Sequence, residues 1–233
     1  MSKPVCVIIG VGPGNGAAFA KKFSNEGYSV ALLARNGDYL ATLESEISNT
    51  KGYIYDVTVT SHADAVFEQI RSDLGPVSVL IYNAGAGAFR NIDNATLEEM
   101  ESAWRVNVQG CFVATKQVLP DMRAAGQGNI VVIGATASLK GSAGFAPFAS
   151  AKAAQRSLAQ SMARHLYPEG IHVAYLIIDG VINLPRTRQA MPDKPDDFFL
   201  NPDHIAESVF FLTQQPKSAW SFEIDLRPFG ERW

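Results

Sequence analysis

Two clusters of residues in this 233-residue chain are spaced to do chemistry. The first is the run "IIGVGPGNGAAFA", in which Gly10, Gly12, Gly14 and Gly16 alternate with other residues and flank Asn15. Glycine lets a backbone approach a phosphate closely, and a helix starting there offers free N–H groups and the positive end of its dipole. A pyrophosphate fits such a turn when a strand precedes it and a helix follows. The second cluster is "GATASLKGSAGFAPFASAKAAQ", which carries the hydroxyls of Thr136, Ser138, Ser142 and Ser150 ahead of Lys152. A hydroxyl is a poor acid alone but relays a proton from a cationic lysine. The same hydroxyls also suit turns and caps. A third signal is Arg35, followed by Asn36, at the end of "SVALLA". An acidic residue there would hold a ribose 2′-hydroxyl, whereas a guanidinium pairs with a 2′-phosphate in forked geometry. NADP(H) is therefore favoured over NAD(H). Asp38 is placed to open the next helix rather than to read the ribose.

These groups need a scaffold, and the hydrophobic pattern supplies one. Continuous apolar runs at 5–10, 29–34, 52–57, 77–85, 129–134, 171–178 and 222–226 read as strands buried on both faces. Helical spacing fills the intervals: 14–26, up to 48, 61–74, 96–125, 147–167 and 203–214. Ala17, Ala18, Ala20 and Phe23 form the packed face of the first helix, and Thr96 with Glu99 resembles a capping box. A shift is expected near Pro120. Strand–helix alternation implies an α/β fold: a single domain over 1–233, with a Rossmann-type doubly wound parallel sheet of about seven strands and helices on both faces. Only the Pro- and Arg-rich segment 183–202 breaks the pattern, as a loop over the carboxyl end of a strand, where ligands bind in such sheets.

Composition narrows the function. The chain is 47% hydrophobic and 18% charged, with a net charge of −3 and no basic block, which argues against nucleic acid or an anionic membrane as partner. Its apolar runs are too short to span a bilayer, and "MSKPVCVIIGVG" lacks the form of a signal peptide. Cys6 and Cys111 read as buried thiols of a reducing, cytoplasmic compartment. The four histidines have no metal-ligand spacing, so no metal site is expected.

With the glycine turn, a mid-chain Asn-Ala-Gly and a late lysine placed, the chain resembles the short-chain dehydrogenase/reductase family over nearly its whole length. The family's TGxxxGxG falls on "IGVGPGNG", with Ile9 in place of threonine. Its adenine-contacting Asp-Val falls on Asp56-Val57. Its Asn-Asn-Ala-Gly falls on Tyr82-Asn83-Ala84-Gly85, and its tetrad asparagine on Asn107. The Pro-Gly turn before the nicotinamide contact falls on Asp179-Gly180, so the backbone of Ile182 would meet the carboxamide. The catalytic positions then depart from the family. Lys152 is kept, but the tyrosine position holds Phe148 and the serine position, thirteen residues earlier, holds Ala135. The alternative tyrosine of the related enoyl reductases falls on Phe145.

The resemblance implies that the lysine holds the nicotinamide ribose, and that a tyrosine and a serine would protonate and bind the substrate oxygen. Loss of a general acid costs about 10²–10⁴ in rate, and loss of an oxyanion donor about 10²–10³. Three readings stay open. Another donor, such as Ser138 or a water near Lys152 and Asn107, substitutes in a dehydrogenase or reductase of a small apolar carbonyl or alcohol. Alternatively the protein binds NADP(H) without turnover, as a sensor or partner subunit, or the scaffold runs another reaction. Phe89, Phe145, Phe148, Leu184, Met191, Phe198 and Phe199 are expected either to line an apolar pocket or to pack the loop onto the core. Arg186 and Arg188 read as solvated loop charges, with an anionic substrate group or the cofactor pyrophosphate as their other use. The resemblance also implies a homodimer or homotetramer built on helices 96–125 and 147–167, with Trp220, Phe229 and Trp233 placed to touch a neighbouring subunit.

Overall fold

The computed structural model describes residues 3–230. Its strands are β1 (Val5–Ile9), β2 (Ser29–Ala34), β3 (Thr50–Ile54), β4 (Val77–Tyr82), β5 (Gly128–Ala135), β6 (Ile171–Ile178), β7 (Val181–Ile182), β8 (Phe199–Leu200) and β9 (Glu223–Leu226). Seven of them form one parallel sheet in the order β3-β2-β1-β4-β5-β6-β9, while β7 and β8 pair separately. The helices are α1 (Asn15–Asn25), α2 (Gly37–Glu46), α3 (Ala63–Leu74), α4 (Leu97–Trp104), α5 (Gly110–Ala125), α6 (Ala146–Leu166), α7 (Pro185–Ala190) and α8 (Pro202–Gln214).

Alternation along each strand divides the apolar residues between two cores. In β1, Val5, Val7 and Ile9 join Phe67 and Ile70 of α3, Val118 and Met122 of α5, and Ala159 of α6. Cys6 and Ile8 face the other way, onto Phe19 and Phe23 of α1, Leu40 and Leu43 of α2, and Val209 and Leu212 of α8. Phe19 is fully buried although the spacing singled out its neighbours, and Ala17 is only partly covered. Both faces are thus sealed, as a parallel sheet requires. The strand order reverses between β1 and β4, so a crevice opens over the carboxyl ends of those two strands.

Three expectations need correction. The helix expected over 96–125 is interrupted, but not at Pro120, which sits inside a continuous α5. The break is a π turn at Arg105–Gln109. Side chains from elsewhere take the carbonyls there: Tyr82 Oη donates to the Val106 carbonyl at 2.5 Å and Gln155 Nε2 to that of Asn107 at 2.8 Å. The 183–202 segment is no plain loop, because α7 and the β7–β8 pair organise it. Finally, β4 stops at Tyr82 rather than 85, since Asn83 turns to bind the first loop.

Candidate active site and nucleotide cleft

The crevice is built first by the turn between β1 and α1. Gly10 has φ +88°, and a Cβ there would stand 2.5 Å from the Ala84 nitrogen. Only glycine lets the turn lie against the end of β4. Asn83 locks that approach, with Nδ2 donating to the Gly10 carbonyl at 2.7 Å and its N–H to the Ile9 carbonyl at 2.9 Å. Gly16 brings α1 down onto the turn, where a Cβ would meet Val11 Cα at 2.7 Å. Gly12 has open space within 4 Å and faces the cleft. Asn15 opens α1 at the cleft wall, 8% exposed, with its Oδ1 unpaired.

The cleft encloses about 880 Å³ and also takes in Arg35, Asp56, Val57, Asn83, Ala84, Gly85, Ile182, Leu184 and Arg186. Arg35 is exposed at the end of β2. Asp56 Oδ1 accepts from the Thr58 N–H at 2.9 Å and the Thr58 hydroxyl at 2.7 Å. These bonds, with Arg35 nearby, hold its carboxyl below the usual range. Asn36 instead caps α2, accepting from the Tyr39 N–H at 3.1 Å. Across the cleft, Leu184 lies against Gly14, where a side chain would collide with its Cδ2. Gly180 is equally enclosed, since a Cβ would meet Pro228 at 2.7 Å. Beside it Asp179 pairs with Arg227 at 2.6 Å and accepts from the Thr136 hydroxyl. The two arginines of α7 divide. Arg188 is no solvated charge: it donates to Asn183 Oδ1 at 2.7 Å, pairs with Asp196 at 2.8 Å and covers the Phe199 ring at 4.0 Å. Arg186 is exposed at the cleft wall and, among the described residues, pairs with no carboxylate.

Deeper in, α6 carries Lys152, 4% exposed. Its Nζ donates to the Ile133 carbonyl and to Gln155 Oε1, both at 2.9 Å. Burial pushes its pKa down to about 8, against a smaller opposing effect of Cys111. Both cysteines are free and buried, and burial raises each thiol, Cys111 to about 12. Asn107, fully buried in the π turn, donates Nδ2 to the Ala103 carbonyl at 2.8 Å and the Ala86 carbonyl at 2.5 Å. Its Oδ1 has no partner. Lys152 Nζ and Asn107 Oδ1 converge beside Gly85, 3.5 and 3.6 Å from where a Cβ would stand. A buried acceptor left unpaired next to a buried donor calls for a bound hydroxyl group or water.

Phe148 brings no hydroxyl to this point. Its ring lies 5.6 Å from Phe89 and 6.5 Å from Phe145, and Phe89 lies 4.8 Å from Phe145. Ala135 ends β5. The Ser138 hydroxyl bonds to the Ala135 backbone and also to Tyr175, and Ser150 donates to the Ala146 carbonyl at 2.8 Å. The apolar residues expected together form two groups. Phe89, Phe145 and Phe148 make one, whereas Phe198 and Phe199 pair at 5.2 Å and are covered by Lys194 and Arg188. Sequence reasoning missed Gln155, Tyr175 and the Asp179–Arg227 pair, each hidden inside an ordinary helix or strand pattern. Tyr175 Oη approaches the Lys152 carbonyl at 3.3 Å. Trp220 stacks on His172 at 4.8 Å and donates to the Gln215 carbonyl at 3.1 Å, and it is half-buried. Phe229 is exposed, and Trp233 lies outside the described residues.

The model of the short chain dehydrogenase family matches residues 4–194. The chain belongs to that family. An uncharacterized oxidoreductase of Staphylococcus epidermidis is 25% identical over 229 residues, covering 98% of each chain. The crystal structure of a short-chain dehydrogenase from Rhodopseudomonas palustris is 37% identical and superposes with a TM-score of 0.84 over 97% of this chain and 99% of that one. An alcohol dehydrogenase of the archaeon Thermococcus sibiricus, complexed with 5-hydroxy-NADP, is 26% identical with a TM-score of 0.88 over 99% of each. The family is one of oxidoreductases that use a nicotinamide cofactor. The residues here fit such a dinucleotide: open space at Gly12 on the turn, the Asp56-Val57 pair at the cleft wall, and unpaired amide oxygens on Asn15 and Asn107. Among the described residues no helix is long and apolar enough to cross a membrane.

Proposed function

We propose that the cleft binds NADP(H) and that the protein is an oxidoreductase of small apolar carbonyls or alcohols whose proton source differs from the family's tyrosine. The observation that carries this reading is the convergence of Lys152 Nζ and Asn107 Oδ1 beside Gly85, a residue that lines the same cleft as the glycine turn. A bound nicotinamide supplies or accepts the hydride. The turn at Gly10, Gly12, Gly14, Asn15 and Gly16 holds the pyrophosphate, Asp56 and Val57 hold the adenine, and Ile182 meets the carboxamide. Arg35 takes the 2′-phosphate, as its exposure at the end of β2 supports. Lys152 and Asn107 bind the ribose hydroxyls or a water. In the set Asn107, Phe148, Ala135, Ser138 and Lys152, only Lys152 has a proton that dissociates near neutrality, with a pKa of about 8. It therefore moves the proton through that water. The Phe89–Phe145–Phe148 rings supply the apolar wall for substrate.

Exposed Trp104 and Phe112, beside Leu158 of α6, support a homodimer or homotetramer through α4, α5 and α6. Two buried free thiols support a reducing compartment such as the cytoplasm. One observation favours a second reading, an NADP(H)-binding protein without turnover: Phe148 offers no proton, and two hydrogens of Lys152 are already engaged.

One experiment separates the two. NADPH and NADH are titrated by fluorescence, then NADPH oxidation is followed over a carbonyl panel for the native protein, Lys152→Ala and Phe148→Tyr with Ala135→Ser. Native turnover abolished in Lys152→Ala supports the enzyme. Tight NADPH binding without native turnover, together with activity gained in the double variant, supports the binding protein. Failure to bind either nucleotide refutes both.

A further inference from the structure

Gln155 is fully buried, one turn along α6 from Lys152. A buried glutamine costs stability unless its carbonyl and amide are both paired. Here both ends are paired, and each end reaches a residue of the candidate site. Oε1 accepts from Lys152 Nζ at 2.9 Å and, more distantly, from Tyr175 Oη at 3.5 Å, and Nε2 donates to the Asn107 carbonyl at 2.8 Å. That carbonyl lies in the π turn, where the widened backbone ladder leaves main-chain acceptors open to side chains. From this geometry we infer that Gln155 is a positioning residue, a single amide that fixes the direction of Lys152 and the placement of Asn107 at the same time.

The consequence for Lys152 follows from donor arithmetic. An ammonium has three hydrogens. Ile133 and Gln155 take two of them, which leaves one free on the side of Gly85, where the unpaired Asn107 Oδ1 also lies. Without Gln155 the ammonium would be free to swing about its bond to Ile133. The amide also faces the charge with the negative end of its dipole, in a place that other charges barely reach. Among the described residues, the titratable groups that face Lys152 are the Cys111 thiol from α5 and the Tyr175 hydroxyl from β6, which approaches the lysine carbonyl at 3.3 Å. Both are kept neutral by burial. Burial lowers the proton affinity of Lys152, and Gln155 Oε1 is the side-chain acceptor that touches its ammonium, at 2.9 Å. The inference rests on the site proposed above, but its primary measurement needs no cofactor.

The test labels lysine Cε with ¹³C and follows the Lys152 signal with pH in the full-length protein, assigned by its loss in Lys152→Ala. The native signal should titrate near pH 8. Gln155→Glu places a carboxylate against the ammonium and should move the midpoint up by at least about one unit. Gln155→Met removes the acceptor and should move it down. A residue that merely fills the core would leave the midpoint in place while lowering thermal stability, and that result overturns the inference. If Gln155→Met does not fold, Gln155→Glu alone decides, since it keeps the size and one oxygen. Fluorescence titration of NADPH on the same proteins is the second arm. Both variants should bind at least about tenfold more weakly, because Lys152 and Asn107 are no longer aligned. Displaced midpoints in a protein that never binds NADPH would uphold Gln155 and refute the cofactor assignment. Unchanged midpoints in a protein that does bind would do the reverse.

Discussion

Gly12→Ala separates binding from folding. A Cβ at Gly12 would have no atom outside its chain neighbours within 4 Å, and the φ there is not positive. An alanine at this position meets no steric objection from the protein itself. By restricting the unfolded chain it should leave stability unchanged or raise it by about 0.4–1 kcal/mol. The open space it fills, however, is the cleft. If a pyrophosphate lies against this backbone, the extra methyl group overpacks the contact at a cost of about 1–3 kcal/mol. At 1.4 kcal/mol per decade that is a loss of about 5- to 150-fold in affinity. The assay is NADPH fluorescence titration beside thermal melts of the same samples. Native affinity in Gly12→Ala would refute the placement of the phosphates on this turn. A drop in melting temperature would refute the claim that the turn is open at this point.

Gly10→Ala should behave oppositely. Its left-handed φ costs about 1–2 kcal/mol and the clash with Ala84 about 1–3, so melting should fall by roughly 4–20 °C. Lys152 gives a pH signature. Its folded pKa of about 8 lies below the unfolded 10.5, so between these values only the unfolded chain holds the proton, and native stability climbs with pH. Between pH 7.5 and 9.5 the climb amounts to about 2 kcal/mol and should be missing from Lys152→Met, as the urea midpoints of the two proteins at these pH values will show. Arg35→Ser should weaken NADPH by about 10- to 150-fold, the worth of a charged hydrogen bond, and leave NADH within about threefold. Equal losses for both nucleotides would remove Arg35 from the 2′-phosphate site.

The centre of the sheet was legible because its strands are apolar runs, and β6 matches its expected span of 171–178 throughout, whereas β3, with the sequence TKGYI, starts two residues before the expected 52–57 and stops at Ile54. The glycine turn was legible because a close backbone approach leaves its mark in residue type, at Gly10 and Gly16 most plainly. The π turn left no such mark. Its cause lies in Tyr82 and Gln155, which are distant in sequence and look like ordinary core residues until the strands are assembled. Proline is the familiar helix breaker, which drew attention to Pro120, yet α5 runs through it. The two α7 arginines look identical in sequence. Only the positions of Asn183, Asp196 and Phe199 reveal that Arg188 is structural.

The pairing of Asp179 with Arg227 bears on how the cleft comes into being during synthesis. The glycine turn and β1 emerge among the first residues and can pair with β2 as soon as it follows. The wall opposite waits much longer. Asp179 ends its strand with a buried carboxylate whose cation is Arg227, immediately after β9. Until that arginine has left the ribosome the carboxylate has only Thr136 for company, and the turn at Gly180 lacks Pro228 to rest on. The cleft is thus a joint between early and late chain, with β9 beside β6 at the sheet edge. A nascent chain halted before residue 227 would carry the glycine turn without Arg227 and Pro228 to support the wall that faces it.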